Sequence, residues 1–122
     1  MGRKEKALFR RRLRRGGVID GNGAAFWQPQ ADPLSWITPH EPRPSPMLDL
    51  VRCRNLRLGD ITLRNSAGWT CHLLDCDGVA IRGVVIDNPL FGPNCDGFDL
   101  SGCWDVTISD CRISTCDDAI VL

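Results

Sequence analysis

Three aspartates, Asp96, Asp117 and Asp118, are the side chains of this 122-residue sequence with the types and spacing for chemistry. Carboxylates held close together repel one another, so at least one has a raised pKa and keeps a proton near neutral pH. A protonated acid beside ionised partners can break a glycosidic bond, because one group protonates the leaving oxygen while another activates water or attacks carbon. Clustered acids can also hold Ca²⁺. We call these three residues the aspartate cluster.

A repeat in the sequence predicts the elements that would bring these acids together. Three copies of one pattern begin at Cys53, Cys76 and Cys103, and each places apolar residues three, five, eight and ten positions further on. Short runs with a period of two are typical of strands. A further alternating stretch follows each copy, so every copy predicts three strands. These stretches are residues 69–73, 96–100 and 118–122.

The repeat predicts an all-β parallel β-helix. Copies that are 23 and 27 residues apart and contain only strands must stack on their neighbours to bury an apolar face. Parallel stacking in register places successive laps about 4.8 Å apart. Asp96 and Asp118 occupy the same repeat position, with Asp117 adjacent, so this fold gathers the aspartate cluster. A leucine-rich repeat is the alternative, since its period overlaps and Leu56 and Leu58 suit it, but its helical half is missing.

Charge and composition divide the chain into a basic arm, residues 1–15, and a partial β-helix domain, residues 16–122. The arm has a net charge of +7 and the remainder −7; an acidic domain argues against nucleic acid as a partner, because phosphates require clustered cations. No apolar run approaches the roughly 18 residues of a membrane helix, so no membrane partner is expected. Six prolines predict an irregular loop at 29–46, followed by regular coils at 47–122. A second loop, at 88–94, accommodates the longer interval.

The other reactive side chains are expected to be structural. The seven cysteines are predicted to be free thiols, and those in repeat register should be core residues. Alternation places His72 on the opposite face from Cys71, and no zinc-ligand spacing is present, so neither a metal nor a cofactor is expected. Asp99, Asp105 and Asp110 are interpreted as turn-capping or solvated acids.

The four tryptophans are expected to pack in loops and in the core. Trp69 and Trp104 belong to the strand-rich part of the sequence. Trp27 and Trp36 lie in irregular segments, where an indole could instead stack on a sugar ring. The sequence does not choose between these two interpretations.

The segments around the acids resemble the polygalacturonase-like glycoside hydrolases of family 28, in the pectin lyase-like superfamily. Residues 94–99, Asn-Cys-Asp-Gly-Phe-Asp, are similar to the family's Asn-Thr-Asp-Gly-Ile-Asp. Residues 115–120, Thr-Cys-Asp-Asp-Ala-Ile, are similar to its Thr-Gly-Asp-Asp-Cys/Ala-Ile. The resemblance covers residues 17–122. Its earlier landmarks also occur in order: the glycine-rich stretch 17–23 with Trp27, Arg43-Pro44, and Asn65-Ser66 before Trp69.

The resemblance implies a right-handed parallel β-helix that hydrolyses α-1,4 linkages between galacturonic acid units of pectin, with inversion. It implies that Asp117 is the general acid, that Asp96 and Asp118 hold and activate the attacking water, and that Asn94 binds substrate. An inverting mechanism expects about 6.5–9.5 Å between acid and base carboxyls. Family members are usually secreted or extracytoplasmic, but the sequence shows no signal peptide; localisation and oligomeric state stay open.

The sequence departs from the family pattern at Cys95, which replaces Thr, and at Cys116, which replaces Gly. The family's later Gly-His-Gly and Arg-x-Lys motifs do not occur before Leu122. We therefore expect a fragment, incomplete as a β-helix and inactive by itself. Two alternatives remain from the residues alone: a Ca²⁺-dependent polyuronate lyase, which a chelator would inhibit, and a non-catalytic carbohydrate-binding β-helix.

Overall fold

The computed structural model of the protein describes residues 16–122, so the predicted basic arm at 1–15 lies outside the described residues. This part of the chain contains short strands and one 3-10 helix, Gly23–Phe26. Within residues 16–122, the structure contains no helix with the length and apolar character to cross a membrane. The strands are β1 (Val18–Asp20), β2 (Leu48–Val51), β3 (Arg54–Gly59), β4 (Thr62–Arg64), β5 (Cys71–Leu74), β6 (Asp77–Arg82), β7 (Val85–Asp87), β8 (Phe98–Ser101), β9 (Trp104–Ser109), β10 (Arg112–Ser114) and β11 (Ile120–Val121).

The strands form three sheets, and successive laps of the chain add one strand at a time to each sheet. The first sheet contains β1, β4, β7 and β10 in that order, and the second contains β2, β5, β8 and β11. The third contains β3, β6 and β9. Every neighbouring pair of strands is parallel. The architecture is therefore a parallel β-helix, which confirms the fold predicted from the repeat.

Strand register matches the sequence repeat. Leu56 pairs with Val79, and Val79 pairs with Val106 in the next lap. In the second sheet, Cys71 pairs with Phe98. Equivalent side chains therefore lie over one another from lap to lap, as the alignment of the copies predicts.

The core lies between the three sheets, where alternate side chains of each strand point inward. Phe98, Leu63 and Leu73 are completely buried, and the burial of each such side chain contributes about 1.5–3 kcal/mol. Cysteines fill further core positions: Cys71 and Cys76 are also buried. All seven cysteines are present as free thiols in the structure.

Left-handed backbone conformations turn the chain between strands. Asp60, Gly83 and Asp110 follow β3, β6 and β9, and their φ angles are 52°, 67° and 52°. Glycine, aspartate and asparagine tolerate positive φ better than other residues do, so these positions determine where each strand ends. Asp110 also accepts a hydrogen bond from Arg82 Nε at 3.1 Å, as expected for an exposed turn acid.

The proline-rich segment packs against the 88–94 loop. From residue 28 to residue 47 the chain has no helix or strand, apart from an isolated bridge between Trp27 and Pro39. The Ile37 backbone N–H donates to the Phe91 carbonyl oxygen at 3.0 Å, and the Trp36 ring meets the Phe91 ring edge-on at 6.0 Å between centroids. The two irregular segments therefore form one surface.

Candidate active site

Strand register brings the aspartate cluster together. Asp96 and Asp118 lie just before β8 and β11, which are neighbours in the second sheet. The backbone N–H of Gly97 donates to the Asp118 carbonyl oxygen at 2.9 Å, which extends the ladder back to the acids. Oxygen atoms of Asp96, Asp117 and Asp118, one from each carboxyl, lie within 4.8 Å of one another. The structure thus places all three sequence-predicted acids at one point.

The glycine that follows Asp96 is required by this stacking. A Cβ atom on Gly97 would collide with the backbone carbonyl oxygen of Ala119 in the next lap. Backbone cannot move aside as the end of a flexible side chain can, so a larger residue would push the two laps apart. Asp96 would then separate from Asp118, which explains the Asp-Gly pair of the first motif.

Burial distinguishes the three carboxyls of the aspartate cluster. Asp96 is only 8% exposed, whereas Asp117 and Asp118 are exposed. Loss of solvent is the main reason that the pKa of Asp96 is raised to about 7, and the negative charges of Asp99 and Asp117 add to the effect. A carboxyl with a pKa of about 7 is partly protonated at neutral pH, and in the aspartate cluster this carboxyl is Asp96.

A fourth carboxyl, Asp99, also belongs to the site. It is 3% exposed and lies within hydrogen-bonding reach of Asp96. Burial raises the pKa of Asp99 as well. The interpretation of Asp99 as a turn-capping or solvated acid is wrong, because β8 carries it on the outer face of the second sheet beside the other acids. Alternation about Phe98 indicated that face, but not the neighbours that cover it.

His72 continues this polar column on the preceding lap, where it pairs in register with Asp99. Its Nδ1 lies 2.9 Å from Oδ1 of Asp49, and its Nε2 lies 3.0 Å from the Ser101 hydroxyl oxygen. The Trp69 ring is also nearby, at 5.6 Å between centroids. His72 is thus held on the outer face, opposite the core cysteine that precedes it, as alternation predicts.

Buried Asn88 joins three laps close to the acids, and the sequence analysis did not identify it. Its Oδ1 accepts a hydrogen bond from the Ser66 backbone N–H at 3.0 Å. Its Nδ2 donates to the hydroxyl oxygens of Thr70 at 2.8 Å and Thr115 at 3.1 Å. The available signal was a polar residue two positions after the last apolar residue of each copy, since Asn65, Asn88 and Thr115 share that position.

The hydrogen bonds of Asn88 reach both acid motifs. The Thr115 hydroxyl, which receives one of them, donates in turn to the carbonyl oxygen of Cys95. Cys95 directly precedes Asp96, and Thr115 lies two residues before Asp117. The network therefore fixes the backbone from which the acids project, and breaking it would leave buried polar groups unpaired.

Asn94, the residue to which the resemblance assigns substrate binding, is exposed beside the aspartate cluster with a φ of 52°. Its Oδ1 accepts a hydrogen bond from Nη2 of Arg43 at 3.2 Å. The Arg43 side chain is largely buried and also pairs with Glu41. Arg43 therefore joins the proline-rich segment to the loop that leads into Asp96.

A groove of about 410 Å³ lies between the two irregular segments and reaches the aspartate cluster. Asp117 is the member of the aspartate cluster that lines this groove, whereas Asp96 is buried and is not among the lining residues. Trp36 forms part of the wall and is 58% exposed. The lining residues are Trp36, Ile37, Thr38, Pro39, Pro93, Asn94 and Asp117.

The tryptophans differ from the packing expected of them. Trp27 is buried and donates from Nε1 to the Ala67 carbonyl oxygen at 3.1 Å, so it has no free face for a sugar. Trp69 and Trp104 are exposed, so the packing expectation is wrong for these two. Trp36 is also exposed, but its ring packs edge-on against Phe91 in the loops, so packing and sugar stacking both remain open for it. A tryptophan can be large and apolar and still lie at a strand end or loop that no neighbour covers.

The carboxyl geometry also bears on cation binding. Among residues 16–122, only Asp96, Asp117 and Asp118 form a group with carboxylate, thiol or imidazole atoms close enough to share one ion. Ca²⁺ takes six to eight oxygen ligands, so it would need further oxygens in addition to one from each of these carboxyls. The described residues therefore give the Ca²⁺-dependent alternative no support beyond the acids themselves.

The fold and the site define a class of protein. It is a parallel β-helix that carries, on one side, an aspartate cluster suited to cleaving glycosidic bonds. Residues 11–122 match the sequence model of the glycosyl hydrolases family 28. The match spans nearly the whole chain, and the chain belongs to this family.

Similar proteins carry polygalacturonase names. The chain is 33% identical over 109 residues to a polygalacturonase of Arabidopsis thaliana, covering 89% of the chain and 24% of that protein. It is 31% identical to a polygalacturonase of Juniperus ashei and 29% identical to a probable polygalacturonase of Vitis vinifera, in each case over 87% of the chain and 21% of the relative. The chain thus spans about a fifth to a quarter of the length of these relatives. No solved structure matches it significantly.

Proposed function

We propose that the aspartate cluster hydrolyses α-1,4 linkages between galacturonic acid units of pectin, with inversion at the anomeric carbon. The observation that carries the proposal is the set of three carboxyls within 4.8 Å, one of them buried with its pKa raised to about 7 and the others exposed. This combination supplies a proton donor and a proton acceptor at one position. The polygalacturonase names of the similar proteins support the choice of substrate.

Asp117 acts as the general acid in this proposal, because it is the acid that faces the groove. In the free protein the shared proton resides on Asp96. When a glycosidic oxygen occupies the groove, the proton moves over the short distance within the cluster to Asp117, and Asp96 is left ionised. Asp117 then protonates the leaving oxygen while Asp96 and Asp118 hold a water and accept its proton. The water oxygen bonds to the anomeric carbon as the glycosidic bond breaks.

The distance between the carboxyls bears on whether the configuration at the anomeric carbon is inverted or retained. The nearest oxygens of the cluster, at no more than 4.8 Å, are closer than the roughly 6.5–9.5 Å expected between acid and base of an inverting enzyme. Short separations of about 5–5.5 Å are typical of retaining enzymes, in which one carboxylate attacks carbon. We favour inversion because Asp96 and Asp118 lie side by side in register, which suits a water held by two acids better than a single nucleophile.

The groove supports a saccharide as the ligand. An exposed indole such as that of Trp36 offers a flat apolar surface to the face of a sugar ring, and the volume is within the range of small-ligand sites. Thr38 and Asn94 place polar side chains along the same groove. A polymer lying on this surface passes directly over Asp117.

Release of reducing ends from polygalacturonate by the protein at its full natural length tests the proposal. We expect hydrolysis in the wild type and nearly none in Asp117→Asn. The products should lack the ultraviolet absorbance of unsaturated uronates, and a chelator should leave the rate unchanged. Unsaturated products that disappear with a chelator would instead establish the lyase alternative, and binding of polygalacturonate without cleavage would establish the non-catalytic one.

A further inference from the structure

Cys95 and Cys116, two of the positions at which the sequence departs from the family's acid motifs, meet at one corner of the β-helix. Each directly precedes an acid, Asp96 or Asp117. The Cys116 sulfur lies 2.8 Å from the Gly92 carbonyl oxygen. A Cβ atom on Gly92 would lie 2.7 Å from the Cys95 sulfur. Both sulfur atoms therefore contact the same glycine, and the two thiols lie within hydrogen-bonding reach of each other.

This pair differs from the cysteines in repeat register. Those cysteines share one position on successive parallel laps and point the same way, which suits stacking better than bridging. Cys95 and Cys116 lie outside the strands, and they are offset, since the ladder places Cys95 opposite Asp117. Both thiols lie at Gly92 and within hydrogen-bonding reach of each other, so a bond between the two sulfur atoms is open to them.

We propose that Cys95 and Cys116 are a dithiol site that closes to a disulfide on reaction with a small disulfide such as oxidised glutathione. The Cys116 thiolate attacks one glutathione sulfur, forms a mixed disulfide and releases one glutathione thiolate. Cys95 then loses its proton and attacks the Cys116 sulfur, which releases the second glutathione. Two electrons pass from the protein thiols to the oxidant, and the two thiol protons go to the two glutathione thiolates.

The two thiols have different surroundings and therefore different roles in the reaction. Cys116 is half-buried, and its interaction with the Cys95 thiol is the main reason that its pKa is lowered to about 7. A substantial thiolate fraction near neutral pH makes Cys116 the attacking group. Cys95 is completely buried, and both its interaction with Cys116 and its burial raise its pKa. It therefore acts second, as the resolving thiol beside a reactive one.

A disulfide at this site would join the backbone just before Asp96 to the backbone just before Asp117. The two acid motifs would then be connected covalently as well as by strand pairing. The site does not depend on pectin hydrolysis, because the chemistry involves only the two thiols and the oxidant. A protein without hydrolytic activity would still form the bond.

Peptide mapping after equilibration with glutathione buffers tests this inference. Trypsin cleaves after Arg82 and Arg112, so it separates Cys95, in residues 83–112, from Cys116, in residues 113–122. In oxidised buffer we expect these peptides to be linked, with tandem mass spectrometry placing the bond at Cys95, and excess reduced glutathione should separate them. Peptides that stay unlinked in fully oxidised buffer, or a link to another cysteine of residues 83–112, would overturn the proposal.

Variants of the pair separate the two steps. Cys95→Ser should stop the reaction at the mixed disulfide, so that residues 113–122 carry one added glutathione as the main product. Cys95→Thr restores the family's residue and should give the same product if the serine variant folds poorly. Cys111→Ser is the matched control, because Cys111 lies away from the pair and, among the described residues, its sulfur hydrogen-bonds to the Ser109 carbonyl oxygen of its own turn. That variant should still form the link at the wild-type level, and loss of the link there would also contradict the assignment.

Discussion

Asp96 and Asp118 lie opposite each other on neighbouring laps, where the N–H of Gly97 donates to the carbonyl oxygen of Asp118 at 2.9 Å. Strand register places these two residues opposite each other, and Asp117 lies beside them because it is adjacent to Asp118 in the sequence. Since the backbone ladder holds the three acids, a carboxyl can be replaced by an amide of the same shape without moving its neighbours. The roles of the acids can therefore be tested one at a time.

Asp117→Asn should lower kcat for polygalacturonate by about 10²–10⁴-fold, the usual contribution of a general acid. KM should change little, because the amide keeps the shape of the groove. The measurement is the initial rate of reducing-end release by the full-length protein across a range of substrate concentrations.

Asp105→Asn is the matched control for that variant. Asp105 is an exposed residue of β9 with a φ of 48°, in the third sheet and away from the cluster, and asparagine tolerates the same backbone conformation. We expect the wild-type rate. A rate for Asp117→Asn equal to that of Asp105→Asn would remove Asp117 from the mechanism.

Asp96→Asn should abolish part of the pH dependence of stability. The pKa of Asp96 is about 7 in the folded protein against 3.8 for a free aspartate. Between these values the folded state binds more protons than the unfolded state, so the free energy of unfolding falls as pH rises from about 4 to 7. The asparagine variant lacks this loss and should be more stable than the wild type at pH 8, by on the order of 2 kcal/mol.

Urea unfolding at pH 4 and pH 8 checks the sign of this effect. Asp110→Asn, at an exposed turn acid paired with Arg82, serves as the control and should leave the wild-type pH dependence in place. If Asp96→Asn and the wild type lose the same stability between the two pH values, Asp96 does not have a raised pKa.

Asn88→Ala should destabilise the fold and disturb the site together. The substitution leaves the Ser66 N–H and the Thr70 hydroxyl without the partner that Asn88 supplies and removes one of the two hydrogen bonds of Thr115, at a cost of about 2–4 kcal/mol. It also frees the backbone that carries the acids, so kcat should fall even at temperatures where the variant is folded.

Thr107→Ala is the control for this variant. It lies at an exposed position of β9 and should change the free energy of unfolding by no more than about 0.5 kcal/mol. Similar stabilities for the two variants would show that the network contributes little.

Trp36→Ala should weaken substrate binding without changing the chemistry. Loss of one stacked aromatic contact corresponds to about 1 kcal/mol, or roughly a five- to tenfold rise in KM. Trp104→Ala removes an even more exposed tryptophan from the third sheet and should not affect KM. A fall in kcat with unchanged KM would place Trp36 in a different role, and equal effects of both variants would indicate a non-specific cause.

The part of the fold that follows from alternation could be predicted from the sequence. Apolar residues at fixed offsets from Cys53, Cys76 and Cys103 specify both the strands and their register, and register places Asp96 beside Asp118. Each step depends only on spacing along the chain and on the repetition of one pattern. The core positions and the meeting of the acids were predictable for that reason.

The features that were missed depend on contacts between laps at the corners. The pattern places Asp99 on an outer face but does not reveal the acids that bury it. Asn88 is one polar residue in a turn until the neighbouring laps supply its three partners. Trp104 has the size of a core residue but lies where no element covers it. In each case burial is decided by neighbours distant in sequence, which alternation does not specify.

The anomeric configuration of the first product tests the central claim most directly. Proton NMR spectra recorded during the first minutes of polygalacturonate hydrolysis by the full-length protein distinguish α from β reducing ends before they equilibrate. If Asp117 protonates the linkage while water held by Asp96 and Asp118 attacks, the β-anomer must appear first from the α-linked polymer. Initial release of the α-anomer would show that a carboxylate attacks carbon, and would contradict the account of the aspartate cluster given above.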